Sequence, residues 1–113
     1  MDDCIFCRIA RGDVPSDIVL EDDAFVAFRD INPKAPQHVL VIPKEHIASL
    51  NDVGRWQAGE GHLLLQFIAR VAAVLAIDKT GYRVLVNVGS DGGQEVAHLH
   101  FHILGGRKLG GLE

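Results

Sequence analysis

Polar and apolar positions alternate most strictly near the end of the chain, in the run His98-Leu99-His100-Phe101-His102-Ile103-Leu104. A side-chain period of two predicts a strand over 98–104, with three imidazoles on one face and Leu99, Phe101 and Ile103 on the other. Residues 18–21 and 24–28 read as two short strands joined at Asp22-Asp23, an acidic turn suited to a hairpin. Residues 38–42 are a nearly continuous apolar run of β-branched character ended by Pro43-Lys44, which predicts a buried central strand. Residues 82–88 alternate as another strand. Residues 30–36 carry two prolines and an asparagine and read as a loop.

The helical signals are fewer. Residues 4–10 predict a short helix closed by Gly12 and followed by Pro15. Residues 47–50 fit one helical turn, with Asn51 or Asp52 as a cap for the next element. From 56 to 77 the pattern becomes helical: Leu64, Ile68, Val71 and Leu75 recur at helical steps, and Leu63, Phe67, Val74 and Ile77 widen the stripe. Gly59 and Gly61 weaken its start. So wide an apolar surface exceeds what one sheet face covers. It points to a subunit interface, the alternative being one very well buried helix.

Bulk properties narrow the function. At 113 residues the chain, 1–113, is expected to be a single domain, and its 48% apolar and 23% charged content is that of a soluble globular protein. A net charge of −4, without a run of lysine or arginine, argues against a nucleic-acid polymer as partner and leaves room for a nucleotide. The longest apolar stretch, 67–77, is broken by Arg70 and too short to span a bilayer, so no membrane partner is expected. The acidic start Met1-Asp2-Asp3 is unlike a secretory leader, which makes the cytoplasm the expected compartment.

Three features carry chemistry. Half of the six histidines stand in the row 98, 100, 102, and imidazole is a costly group to bury unpaired. Residues 87–95 hold three glycines within five positions, together with Asn87, Ser90 and Gln94, and feed directly into that row. Such a loop lets backbone N–H groups approach an anion. Cys4 and Cys7 form Cys-x-x-Cys with no strand ahead of it to make a redox motif, so half of a zinc site is the better reading.

The row supports two mechanisms. In one, His100 is a nucleophile toward phosphorus, its second nitrogen fixed by an acceptor such as a backbone carbonyl, while His102 donates to the phosphate oxygens. In the other, His98 and His100 join a third histidine such as His38 as ligands of a catalytic zinc. The second leaves the cysteines without work and the glycine loop incidental.

The row also matches His-φ-His-φ-His-φ-φ, with φ apolar, at every position. Together with Ile5-Phe6-Cys7-Arg8-Ile9, Ala27-Phe28-Arg29-Asp30-Ile31-Asn32-Pro33, the block from His38 to His46 and the segment from Asn87 to Arg107, it resembles the histidine triad family, in its Hint (nucleotide-binding) branch, along essentially the whole chain. That resemblance implies an α+β fold: a five-stranded antiparallel sheet with one long helix and a short N-terminal helix. It also implies a homodimer joined through the long helix and a strand into a ten-stranded sheet. The implied activity is hydrolysis of purine nucleoside phosphoramidates through a nucleotidyl-histidine, with dinucleoside polyphosphate hydrolysis or a nucleotide-binding scaffold as alternatives.

By position, the resemblance makes His100 the nucleophile, has His102 contact the α-phosphate and His38 support the nucleophile. Asp30 would take the ribose, with Ile31 beside it. Ile5, Phe6, Ile9 and Phe28 would wall the base, and Asn87, Gly93, Gln94, Glu95 and Val96 would line the phosphate side. Glu95 departs from a serine found in several relatives, and the chain lacks the longer aromatic tail of some. Bacterial relatives with an N-terminal Cys-x-x-Cys imply a structural zinc on Cys4, Cys7, His46 and His98, and no organic cofactor.

Overall fold

A computed structural model describes residues 3–111; Met1, Asp2, Leu112 and Glu113, the ends of the expected domain, lie outside the described residues. The chain runs α1 (Ile5–Arg11), β1 (Ile18–Glu21), β2 (Phe25–Arg29), β3 (Gln37–Pro43), a 3-10 turn (Leu50–Arg55), α2 (Glu60–Val74), β4 (Tyr82–Val86) and β5 (Phe101–Gly105). The strands form one five-stranded sheet in the order β1-β2-β3-β5-β4, with every neighbouring pair antiparallel. The expected α+β fold is what the chain adopts.

Both faces of the sheet are covered, which is why β2 and β3 read as continuous apolar runs rather than alternating ones. Phe25, Ala27, Val39, Val41 and Ile103 face α2, whose Leu64, Phe67, Ile68, Val71 and Ala72 complete that core. Val26, Phe28, Leu40 and Ile42 face the other way and pack with Phe6 of α1. The hairpin between β1 and β2 turns on Asp22, whose Oδ1 accepts from the backbone N–H groups of Ala24 and Phe25.

Four boundaries differ from the sequence expectation. Cys4 caps α1 rather than entering it, its Sγ accepting from the Cys7 N–H. Residues 47–50 do not form the expected turn: Ile47 is buried, and Ser49, not Asn51 or Asp52, caps a 3-10 turn that starts at Leu50. The long helix is shorter at both ends than 56–77. Gly59, at φ 94°, breaks any continuation from Trp56, and Ala76, at φ 59°, ends it. Leu75 and Ile77 stay buried beyond that break, so the apolar period there reported burial, not helix. The strand after it stops at Val86, giving Asn87 and Val88 to the loop.

A fifth difference shapes the site. β5 begins at Phe101, so His102 alone of the three histidines sits in the ladder. Extending the register would set Leu99 opposite Pro43, which has no N–H to give, and the Pro43 carbonyl is taken by the His98 ring at 2.8 Å. The stretch before β5 is tied instead by the Leu99 N–H to the Ile47 carbonyl at 2.7 Å.

The apolar stripe of α2 is as wide as the sequence indicates. Leu63, Leu65 and Val74 remain exposed on the helix, as do Tyr82 and Val84 on the edge strand β4.

Candidate active site

The α1 face of the sheet gathers the histidines. Phe6 stands edge-on to His100, with ring centroids 5.1 Å apart, and to Phe28 at 5.5 Å. His38 on β3 and His102 on β5 lie on the same face, where Leu40 is the cross-strand partner of His102. His100 and His102 follow side by side, their centroids 5.2 Å apart.

Backbone groups settle which ring nitrogens carry protons. The Lys34 N–H donates to His38 Nδ1 at 3.1 Å, so a neutral His38 must keep its proton on Nε2. That Nε2–H donates to His102 Nδ1 at 2.9 Å, with the Asp30 carboxylate 3.5 Å away as a second acceptor. His102 is thereby left with a proton on Nε2, an atom that is buried and has no partner among the described residues. His100 is set the opposite way. Its Nδ1–H donates to the His98 carbonyl at 2.7 Å, leaving the Nε2 lone pair uncommitted. An uncommitted nitrogen lone pair and a hydrogen-bond donor with no acceptor among the described residues thus stand on adjacent rings.

Burial keeps the supporting rings neutral. It lowers the pKa of His102 to about 4, helped by His100 and His38, and lowers that of His38 against the opposing pull of Asp30. The His38 ring therefore hydrogen-bonds His102 and not His100, the residue that the resemblance has it support. The group that orients His100 is the His98 carbonyl.

Around this centre, Phe6 and Phe28 are buried and Ile9 half-buried, whereas Ile5 is exposed. Asp30, half-buried just after β2, accepts the Asn32 N–H on its Oδ1 at 2.8 Å. Ile31 is 91% exposed and walls nothing in the chain itself. The glycine loop is closely tied: a Cβ at Gly92 would run into the Val88 backbone, and Gly93 has φ 78°. Gln94 anchors it. Its Nε2 donates to the Ala48 and Val96 carbonyls at 2.7 and 2.9 Å, and its Oε1 accepts from the Gly89 N–H. That side chain is committed to the loop and has little left for a phosphate. Asn87 is half-buried, Glu95 is exposed, and Val96 packs at the edge of the Phe6–Phe28 cluster.

A second constellation backs onto the first. The Sγ atoms of Cys4 and Cys7 and the Nδ1 atoms of His46 and His98 all lie within 4.8 Å of one another. Cys7 Sγ is 3.2 Å from His46 Nδ1 and 3.5 Å from His98 Nδ1, and Cys4 Sγ is 3.4 Å from His98 Nδ1. Tetrahedral zinc with bonds of about 2.3 Å to sulfur and about 2.0 Å to nitrogen sets neighbouring donors roughly 3.3–3.8 Å apart, so the spacing fits. The protonation pattern fits as well. His98 Nε2 donates to the Pro43 carbonyl, which turns the Nδ1 lone pair onto the two sulfurs, as a metal-bound imidazole requires. Burial lowers the pKa of His98 and, with Cys4, raises that of the Cys7 thiol. Two thiolates would balance a divalent charge.

His98, His100 and His38 do not converge as one metal set. The donor atom of His98 faces the cysteines, and both nitrogens of His38 are engaged by Lys34 and His102. A second close group, Asp30, His38 and His102, is already joined by the hydrogen bonds described. The residues that sequence reasoning missed act through main-chain atoms: the Lys34 N–H and the Pro43 carbonyl leave no mark in side-chain chemistry.

Comparison with known proteins gives the chain a family and close structural relatives. The HIT domain family matches residues 11–109. A purine nucleoside phosphoramidase of Escherichia coli is 44% identical over 109 residues, covering 96% of this chain and 92% of the relative. A histidine triad protein from Clostridium difficile superimposes with a TM-score of 0.94 at 50% identity, over 100% of this chain and 98% of its own. A HIT family hydrolase from Legionella pneumophila does so with a TM-score of 0.89 at 46% identity, covering 94% and 95% of the two chains.

Proposed function

Because the chain belongs to the histidine triad (HIT) domain family, we propose that it is a purine nucleoside phosphoramidase that works through a nucleotidyl-His100 intermediate. The observation that carries the reading is the pairing of a free His100 Nε2 lone pair with a His102 Nε2–H that lacks an acceptor. The lone pair attacks the α-phosphorus, a bond forms from Nε2 to phosphorus, and the P–N bond to the amine breaks. Water then attacks the same phosphorus, Nε2 leaves, and the nucleoside monophosphate is released. Summed over both steps, water supplies the hydroxyl to phosphorus and the proton to the amine. The His102 Nε2–H holds a phosphoryl oxygen as charge shifts onto it, a role for a donor that is in place before reaction.

Phe6, Ile9 and Phe28 offer an apolar slot for the base and Asp30 a carboxylate for ribose hydroxyls. Ile5, Ile31, Asn87, Gly93, Glu95 and Val96 complete the substrate side, with Gln94 bracing the loop that carries Gly93. Zinc on Cys4, Cys7, His46 and His98 has a structural role, stapling α1 and its Phe6 to the sheet. The apolar residues left on α2 and β4 take a second copy of the chain, so that two sheets join edge to edge. No helix among the described residues is long and apolar enough to cross a membrane, and the proposed compartment is the cytoplasm.

A screen of nucleoside phosphoramidates with intact-mass trapping tests the chemistry. The expected result is a nucleotidyl adduct on His100 with purine substrates. Turnover should collapse in His100→Ala and persist in Lys108→Ala. Turnover without any adduct on His100, or preference for a phosphate over an amine leaving group, would overturn the reading.

A further inference from the structure

Lys34 is held on both of its main-chain groups. Its N–H donates to His38 Nδ1 at 3.1 Å, and its carbonyl accepts from the Arg107 guanidinium, also at 3.1 Å. Arg107 is an exposed residue two positions beyond the end of β5. The residue before it, Gly106 at φ 92°, presses on the 30–36 loop: a Cβ there would lie 2.9 Å from that of Pro36. A second guanidinium nitrogen of Arg107 donates to the Lys108 carbonyl, which steadies the side chain.

Pro33 and Pro36 fix φ at their own positions and bias Asn32 and Ala35 toward extended backbone. Conformational freedom in that stretch is therefore concentrated at Lys34. The neck of the loop is closed by the Asp30 N–H on the His38 carbonyl, and the Asn32 N–H turns back onto Asp30. Neither bond reaches the Lys34 main chain. Ala35 is buried, but a methyl group sets no peptide orientation. Among the described residues, Arg107 is the only hydrogen-bond partner of the loop outside itself and its flanking strands.

We propose that Arg107 is a positioning residue: by holding the Lys34 carbonyl it keeps the Lys34 N–H on His38 Nδ1, and so keeps a proton on His102 Nε2 for the substrate. It touches no reacting atom. The inference rests on His102 being the donor in the proposed reaction. While the Lys34 N–H occupies Nδ1, His38 carries its proton on Nε2, and His102 accepts at Nδ1 and donates at Nε2. If Lys34 swings away, the His38 proton can pass to Nδ1. His102 then donates to His38 and shows a phosphoryl oxygen a lone pair in place of a proton. The Asp30 carboxylate, 3.5 Å from His38 Nε2, favours the working arrangement too. Beyond ordinary hydrogen-bond length, it biases the proton without fixing it.

The test compares wild type with Arg107→Ala, a change at an exposed position that leaves the core intact. Ring-nitrogen NMR spectra of protein carrying ¹⁵N-labelled histidine are recorded above the imidazole titration range. In wild type, His38 and His102 should each show only the Nε2–H form. In the variant both rings should become mixtures together, because their protons are linked through one hydrogen bond. His98 and His100 serve as the internal control and should keep their patterns, which the Pro43 and His98 carbonyls set. In turnover, kcat should fall on the order of fivefold, the scale of one lost hydrogen bond. KM should stay unchanged, because the bond that closes the loop at Asp30 does not pass through Arg107.

Pure Nε2–H forms of His38 and His102 in Arg107→Ala would overturn the inference, whatever happens to turnover. A raised KM with those pure forms would make Arg107 a charge that attracts an anionic substrate, not a positioning residue. The tautomers are read without substrate, so the inference fails separately from the proposed chemistry. Mixed tautomers with an unchanged kcat support the positioning and take the donor role in the reaction away from His102.

Discussion

His38 Nε2 lies 2.9 Å from His102 Nδ1, and the Lys34 N–H on the far side of the His38 ring makes that contact directional. The proton must lie on His38, so His102 can only accept there and can only donate at its other nitrogen. A histidine at position 38 therefore governs what position 102 offers to a ligand, although its own ring is 4% exposed.

Replacing His38 with phenylalanine removes the donor but keeps the bulk. His102 is then free to move its proton to Nδ1, and the donor toward phosphate is lost for part of the population. We expect kcat to fall about ten- to a hundredfold, the scale for removal of an outer hydrogen-bond partner. Leaving the Lys34 N–H and His102 Nδ1 unpaired should also cost about 1–3 kcal/mol of stability, read by urea unfolding. An unchanged kcat in a folded variant would show that His102 does not depend on His38.

Stability should fall on mild acidification. The folded pKa of His102 is lowered to about 4, below the about 6.5 of an unfolded histidine, and His38 shifts in the same direction. Between those values the unfolded chain binds more protons, so stability rises with pH there; it is complete above about pH 6.5 and is lost progressively as pH drops toward 4. Urea unfolding of wild type and His102→Gln across this window isolates the contribution. The variant should show the shallower slope, and equal slopes would contradict the burial argument.

Metal content offers a direct check on the Cys/His cluster. Purified protein should carry about one zinc per chain, and cobalt substitution should give the visible absorption of a tetrahedral site with two sulfurs. Stripping zinc should lower the melting temperature, because metal binding to a site absent from the unfolded chain is folding free energy. Zinc affinity should weaken as pH falls, since both thiols must deprotonate and burial already raises the Cys7 pKa. A melting temperature indifferent to zinc would remove its structural role.

Much of the fold is legible in the sequence, and the reasons for the gaps are physical. β2 and β3 announce themselves because both of their faces are covered, so their apolar runs are continuous. The ends of α2 escape the pattern because Leu75 and Ile77 remain in the core after Ala76 has turned the chain out of the helix. The histidines are identifiable from their type and spacing. Their protonation is not, because it depends on the Lys34 N–H, the Pro43 carbonyl and the His98 carbonyl, and every residue in the chain has a carbonyl. Only the fold says which one arrives. The start of β5 shows the same limit: alternation over 98–104 is genuine, but Pro43 on the neighbouring strand cannot continue the ladder.

Gln94 shows how the side chain of a polar residue beside a candidate site can be taken up by its own loop. Its side chain spans Ala48, Val96 and Gly89, tying the glycine loop to the segment after β3. Gln94→Leu should lose those contacts and leave three main-chain groups to find water, at a cost of about 1–3 kcal/mol. Because the loop is expected to receive the phosphate, KM should rise more than kcat falls. The opposite pattern, a lost kcat with KM intact, would mean that the Gln94 amide itself serves the transition state.

The exposed apolar residues predict an assembly that is separable from the chemistry. Val84 sits on the edge strand β4, 41% exposed, and Leu63, Leu65 and Val74 are exposed on α2. An open, apolar sheet edge invites pairing with another strand, and a lysine placed on such an edge is a common way of preventing it. Val84→Lys replaces apolar surface with a charge that would be desolvated if a second copy docked there, at no cost to a lone chain in which that position already faces water. Wild type should therefore sediment as a dimer and Val84→Lys as a monomer, with the Cys/His cluster still binding zinc because it lies on the α1 side of the sheet. A wild-type monomer would leave the width of the α2 stripe without a purpose in this fold. A Val84→Lys dimer would move the interface away from β4 and onto the helix alone.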